Sequence, residues 1–115
     1  MSYLDKVKQI RNKKLSLLKE DFRKEAKRLV NLLLSRGYGC KKIYLYGSAV
    51  KDRPFAPWSD IDLAIEGLKD EEFLEVYALF LRNSRFPVDL KPFEDLDVPS
   101  REKIKREGEV IYEKR

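Results

Sequence analysis

Two aspartates one residue apart, Asp60 and Asp62, stand in "SDIDLAI" (59–65), an alternating stretch that otherwise reads as a buried strand. In a strand, residues two apart point to the same face, so both carboxylates project together while Ile61, Leu63 and Ile65 turn to the core. Like charges held that close raise each other's pKa unless a cation sits between them. A Mg²⁺ ion resolves the conflict, because one or two carboxylates bind it and water and substrate phosphates complete its shell. A third carboxylate, Asp89, lies in "PVDLKPF" (87–93), where Val88 and Leu90 alternate with Asp89 and Lys91. If that strand pairs beside the first, three carboxylates converge as a two-metal phosphoryl-transfer site requires.

Upstream, Gly47 and Ser48 leave the strand "KIYLYG" (42–47). Gly47 lets backbone approach a ligand closely. Ser48 is placed to cap a short helix from Ala49, whose N–H groups and dipole favour a phosphate. A polyphosphate cradle is thus expected a loop's length from the carboxylate pair. Taken singly, Gly-Ser is a turn, Asp-x-Asp a solvated strand edge, and Asp89 a surface partner of Lys91. Their combination in this order is what points to chemistry. In the intervening loop, Lys51 and Arg53 either neutralise a triphosphate or are simply solvated. Pro54 and Pro57 stiffen it, while Phe55 and Trp58 are expected to pack it down, with stacking on a base as the alternative for Trp58.

The elements that must hold these groups follow from the pattern. At 115 residues the chain makes one domain. Residues 3–36 contain neither Gly nor Pro, and Leu15, Leu18, Phe22, Ala26, Leu29, Val30 and Leu33 recur at helical spacing. One long helix is expected, opened by Ser2 or Asp5, closed by Gly37 and Gly39, with a break near Asn12 as an option. Its second half should pack on the domain. Residues 1–18 form an extension longer than the domain needs, free to meet a partner or a second copy. From residue 41 the period changes to two, giving the strand at 42–47 with Ile43 and Leu45 on one face and Tyr44 and Tyr46 on the other. After the strand at 59–65 come a helix over 69–84 with Asp70, Glu71 and Glu72 at its start, and the strand at 87–93. A turn at Pro99 leads to a short helix over 100–108, and "EVIYE" (109–113) ends the fold. The order implies an α+β fold.

Composition limits the chemistry. There is no His and a single Cys40, which is expected to be inert, so disulfide, Cys-rich zinc and His general-base chemistry are all excluded. Carboxylates, hydroxyls and hard cations remain. A net charge of +5 permits an anionic partner without demanding one. No signal peptide and no apolar run of about 20 residues is present, so the expected location is the cytoplasm and no membrane contact is foreseen.

"YGSAVKDRPFAPWSDIDLAI" (46–65) resembles the signature of the minimal nucleotidyltransferase family, within the DNA polymerase beta-like superfamily: Gly-Ser, about ten residues, Asp-x-Asp, then an acidic residue on a later strand. The resemblance spans roughly residues 20–113. It implies a nucleotidyltransferase fold, a small mixed sheet with helices packed on one face. It also implies that Gly47 and Ser48 hold the nucleotide's phosphates, that Asp60 and Asp62 ligate Mg²⁺, and that Asp89 completes the site as ligand or base. ATP is the implied substrate. Family members usually act beside an all-helical toxin of the HEPN type, as its antitoxin, and some transfer AMP onto a tyrosine of that partner. A non-catalytic antitoxin that masks a ribonuclease toxin by contact is the rival expectation. An RNA-directed transferase is the third, disfavoured because no RNA-binding extension is visible. Two departures from the pattern stand out: Ser48 and Asp60 are separated by Ala49 to Ser59, one residue more than usual, and the N-terminal helix exceeds the compact form.

Overall fold

Ser2 and Asp5 open the first helix together. The Ser2 hydroxyl accepts the Asp5 N–H at 3.1 Å while the Asp5 carboxylate accepts the Ser2 N–H, a reciprocal capping box. Helix α1 (Tyr3–Ser35) then runs without a break through Asn12, since one asparagine costs a helix well under 1 kcal/mol. Beyond its end Gly37 adopts φ 84°, a left-handed turn suited to glycine. The computed structural model describes residues 1–50 and 53–115.

Strands β1 (Lys42–Tyr46), β2 (Ile61–Glu66), β3 (Val88–Pro92) and β4 (Glu109–Glu113) form one sheet in the order β3-β2-β1-β4. β1 pairs antiparallel with both β2 and β4, whereas β2 and β3 are parallel. A parallel pair needs a crossover, and helix α2 (Phe73–Asn83) supplies it after a 3₁₀ turn at Asp70–Glu72. That crossover brings Asp89 alongside Asp62.

The second half of α1 and α2 cover one face of the sheet. Phe22, Ala26, Leu29 and Leu33 of α1, Val76 and Phe80 of α2, and Ile43, Leu45, Ile61, Leu63 and Ile65 of the strands form the main core. Burying each large side chain is worth about 1.5–3 kcal/mol. The expectation of helices on one face holds for these two. Helix α3 (Val98–Glu107) adds a smaller layer on the other face, where Ile104 meets Tyr44, Ala64 and Phe93. Pro99 does not precede α3 as a turn but lies in its first turn behind the N-cap Asp97, where its missing N–H would have had no helical partner anyway.

One buried polar clamp joins α1 to the α2–β3 connection. Glu25, only 4% exposed, accepts both the Nε and Nη2 of Arg28 at 2.7 Å and the Arg85 N–H at 2.6 Å, and Arg28 also donates to the Asn83 carbonyl. The far half of α1 touches none of this. Every residue from Met1 to Lys14 is exposed, and the molecule is drawn out to 56 × 30 × 24 Å.

Candidate functional site: a carboxylate pair beside a cationic cavity

The register of the sheet sets the site. Tyr46, the last residue of β1, pairs with Asp62, and Asp62 pairs across the parallel ladder with Asp89. Alternation places Tyr46, Asp62, Asp89 and Lys91 on the face opposite the main core. Asp60 precedes the first paired residue of β2 and is exposed. The sequence-predicted carboxylates therefore divide: Asp62 and Asp89 are locked side by side, and Asp60 stands at the rim. Among the described residues no group of three or more His, Cys, Asp or Glu closes around a point that could hold a metal ion. Asp60 stands one residue before the strand ladder, and it and Asp89 both act on the Asp62 carboxyl, so the three carboxylates lie near one another.

The electrostatics of the pair are uncomfortable. The Asp62 carboxyl is pushed up from 3.8 to about 6, first by burial, then by Asp89 and Asp60, against a smaller opposing effect of Lys91. Lys91 reaches Asp89 with its ammonium at 3.3 Å and lies 6.0 Å from the centre of the Tyr46 ring. The Tyr46 hydroxyl is buried with no hydrogen-bond partner among the described residues. Burial raises its pKa, and Lys91 counteracts part of that rise.

Gly47 follows directly. Its φ of 75° is left-handed, and a β-carbon there would collide with the Asp62 Oδ2. The turn favours glycine, and a larger residue there would also have to displace the Asp62 carboxylate. Ser48 does not cap a helix: Gly47–Ala49 is a single 3₁₀ turn with no side-chain cap, closed by Val50 N–H to Gly47 O. The expected helix N-terminus is absent at this turn, and basic side chains lie beside it instead.

They line a cavity of about 420 Å³ next to the turn. Its walls carry Tyr46, Gly47 and Ser48 from the β1 end, Lys91 from β3, Arg53 from the loop, and Ser100 and Lys103 from α3, with Val50, Leu96 and Ile104 as apolar floor. Arg53 is partly engaged, pairing with Glu107 at 2.7 Å, and its carbonyl accepts the Lys19 ammonium at 2.6 Å. Lys51, expected beside it as a counter-charge, lies outside the described residues. Phe55 packs the loop down as expected, its ring edge-on to Phe22 at 5.0 Å. Trp58 does not pack, being 85% exposed. Lys103 and Ser100 escaped sequence reasoning, since nothing local to α3 says which face of the sheet it covers. Lys91 was legible, because its alternation with Leu90 puts it on the face of Asp89.

A turn that presses backbone against a strand carboxylate, a parallel neighbour bearing a second carboxylate, and a cavity lined by basic side chains lie together on one face of a mixed sheet. The family model described as polymerase beta, nucleotidyltransferase, matches residues 30–115, and the chain belongs to this family. No curated protein matches the chain closely enough to refine that assignment. The match begins within the second half of α1, so the exposed N-terminal half lies outside the matched residues.

The family implies a divalent cation, and the donor set fits one. The pair offers only carboxylate oxygens, which suit a hard cation, and its mutual repulsion is what such an ion relieves. Asp62 and Asp89 would hold it, with Asp60 on the outer side.

Proposed function

We propose that this nucleotidyltransferase moves a nucleotide, AMP from ATP, onto a hydroxyl of a partner protein, and that the partner is a helical HEPN-type toxin for which the chain is the antitoxin. The observation that carries the reading is the Asp62–Asp89 pair abutting the Gly47–Ser48 turn, which lines the neighbouring cavity together with Lys91. In that reading Lys91, Lys103 and Arg53 bind the triphosphate, with Ser48 at the turn. The apolar floor takes the base and Asp89 orients or deprotonates the incoming hydroxyl. A magnesium ion held by the carboxylates would supply counter-charge and Lewis acidity to the phosphates. Catalysis then rests on positioning and electrostatic stabilisation, with pyrophosphate leaving. The small size of the domain favours an acceptor brought by another molecule, since the cavity has room for little beyond the nucleotide.

The test offers ATP labelled in the α-phosphate, with Mg²⁺ and a candidate partner, to wild type, Asp60→Asn and Asp62→Asn. Labelling by the wild type alone supports the reading; equal labelling by all three sinks it. A second reading, an antitoxin acting by contact alone, is favoured by the long exposed half of α1. It predicts that Asp60→Asn/Asp62→Asn still neutralises the partner.

A further inference from the structure

The exposed half of α1 carries a seam that the fold does not use. Tyr3, Val7, Ile10, Lys14 and Leu17 recur in steps of four and three, the spacing of alternating d and a positions in a coiled coil. Tyr3 is 83%, Val7 40%, Ile10 58% and Leu17 59% exposed. Capped at Ser2 and continuous with the packed half, the segment is a preformed helix that reaches about 22 Å at 1.5 Å per residue.

The residues beside the seam say what can cover it. Lys6 and Lys13 take g positions and Arg11 an e position, and Lys14 sits in the seam itself. No ion pair among the described residues engages any of the four. Between Tyr3 and Leu17 stand five cations and one carboxylate, Asp5. A second copy in parallel register would set Lys14 against Lys14 and Lys6 against Arg11. An antiparallel copy would pair lysine flank with lysine flank. Either arrangement opposes like charges that in coiled coils decide partner choice. A bilayer surface is also a poor match, because Arg11 and Lys14 interrupt the apolar arc that would have to enter the acyl region.

We propose that this seam docks an amphipathic helix of another protein, one with an apolar a/d stripe flanked by Asp and Glu and an acidic residue opposite Lys14. The pairing is a two-stranded coiled coil of about two heptads. It rests on the seam and its charges alone, and stands whether or not the carboxylate site proves catalytic.

The test uses the full chain without ATP and two synthetic three-heptad helical peptides, identical in leucine a/d positions, one flanked by Glu and the other by Lys. Fluorescence anisotropy should show saturable binding of the Glu-flanked peptide at least tenfold tighter than its Lys-flanked twin. Ile10→Ser/Leu17→Ser should abolish it with helicity and melting unchanged, since both side chains are exposed and outside the core. Lys6→Glu/Arg11→Glu/Lys13→Glu should reverse the preference. The chain alone should sediment as a monomer. No saturable binding, equal binding of the two peptides, or a dimer dissolved by Ile10→Ser/Leu17→Ser would each overturn the proposal. So would seam-dependent binding to phosphatidylglycerol vesicles or to polyuridine RNA without binding to the Glu-flanked peptide.

Discussion

Asp62→Asn should make the protein more stable, and by an amount the site itself sets. The native carboxyl titrates near 6 instead of 3.8, raised chiefly by burial and then by Asp89 and Asp60. Each pH unit between the two values is worth about 1.4 kcal/mol, so the full difference corresponds to about 3 kcal/mol. Asp62 is partly exposed, and solvent screening reduces the expected gain to roughly 1–2 kcal/mol. The sign follows from proton binding. Between the two values the folded chain holds a proton that the unfolded chain has released. Wild-type stability from this group is therefore full below 3.8, falls as pH rises to about 6, and stays low above. Asparagine keeps the shape without the charge. In EDTA the variant should match wild type near pH 4 and melt about 5 °C higher at pH 8. Urea melts at five or six pH values, with scanning fluorimetry as a check, would trace the gap. No gap at pH 8, or the same gap at pH 4, would refute the claim that the fold holds this carboxylate against its neighbours. Added Mg²⁺ should raise the wild-type midpoint more than the variant's.

Gly47→Ala should lose about 1–2 kcal/mol from the left-handed backbone alone, and displacement of Asp62 should cut nucleotidyl transfer at least tenfold in a steady-state assay. Phe55→Ala, which removes the ring against Phe22, should cost about 2–3 kcal/mol in a denaturant melt, whereas Trp58→Ala should change stability by no more than about 0.5 kcal/mol. Glu25→Ala leaves the Arg85 N–H without its acceptor and frees the half-exposed Arg28 to solvent, and should cost about 1–2 kcal/mol at neutral pH. Arg28 holds the Glu25 carboxyl below its ordinary value, so this contribution is present above that value and lost as pH falls through the lower folded one, and the variant should lack that part of the acid transition. The Cys40 thiol, buried and pushed up to about 11, should resist a thiol reagent until the chain unfolds, as a native-state titration would show.

Much of this architecture was legible because its signals are local. Period-two alternation put Ile43 and Leu45 on one face and Tyr44 and Tyr46 on the other, as the two hydrophobic clusters confirm. The absence of Gly and Pro through residue 36 gave the long helix, and the pairing of Asp62 with Asp89 follows from their places on strands joined by a helical crossover. What sequence could not supply depends on contacts between distant segments. Whether Ser48 caps a helix is decided by how the chain leaves β1, and it leaves in one 3₁₀ turn. The face that α3 covers, and with it Lys103 and Ser100 in the cavity wall, is set by packing of Ile104 on Tyr44 and Ala64. Trp58 looked like an anchor by its size alone, yet Phe55 already fills the space against Phe22. The Glu25 clamp hides as an ordinary helical charge until the α2–β3 connection folds over it.

Transfer to a protein acceptor is the central step of the proposed reaction. Mass spectrometry of a candidate helical partner, co-expressed and purified with the chain and then incubated with ATP and Mg²⁺, tests transfer most directly. Adenylyl groups should appear on a hydroxyl side chain of that partner with the wild type and not with Asp62→Asn. An unmodified partner, or one modified equally by Asp62→Asn, would contradict it.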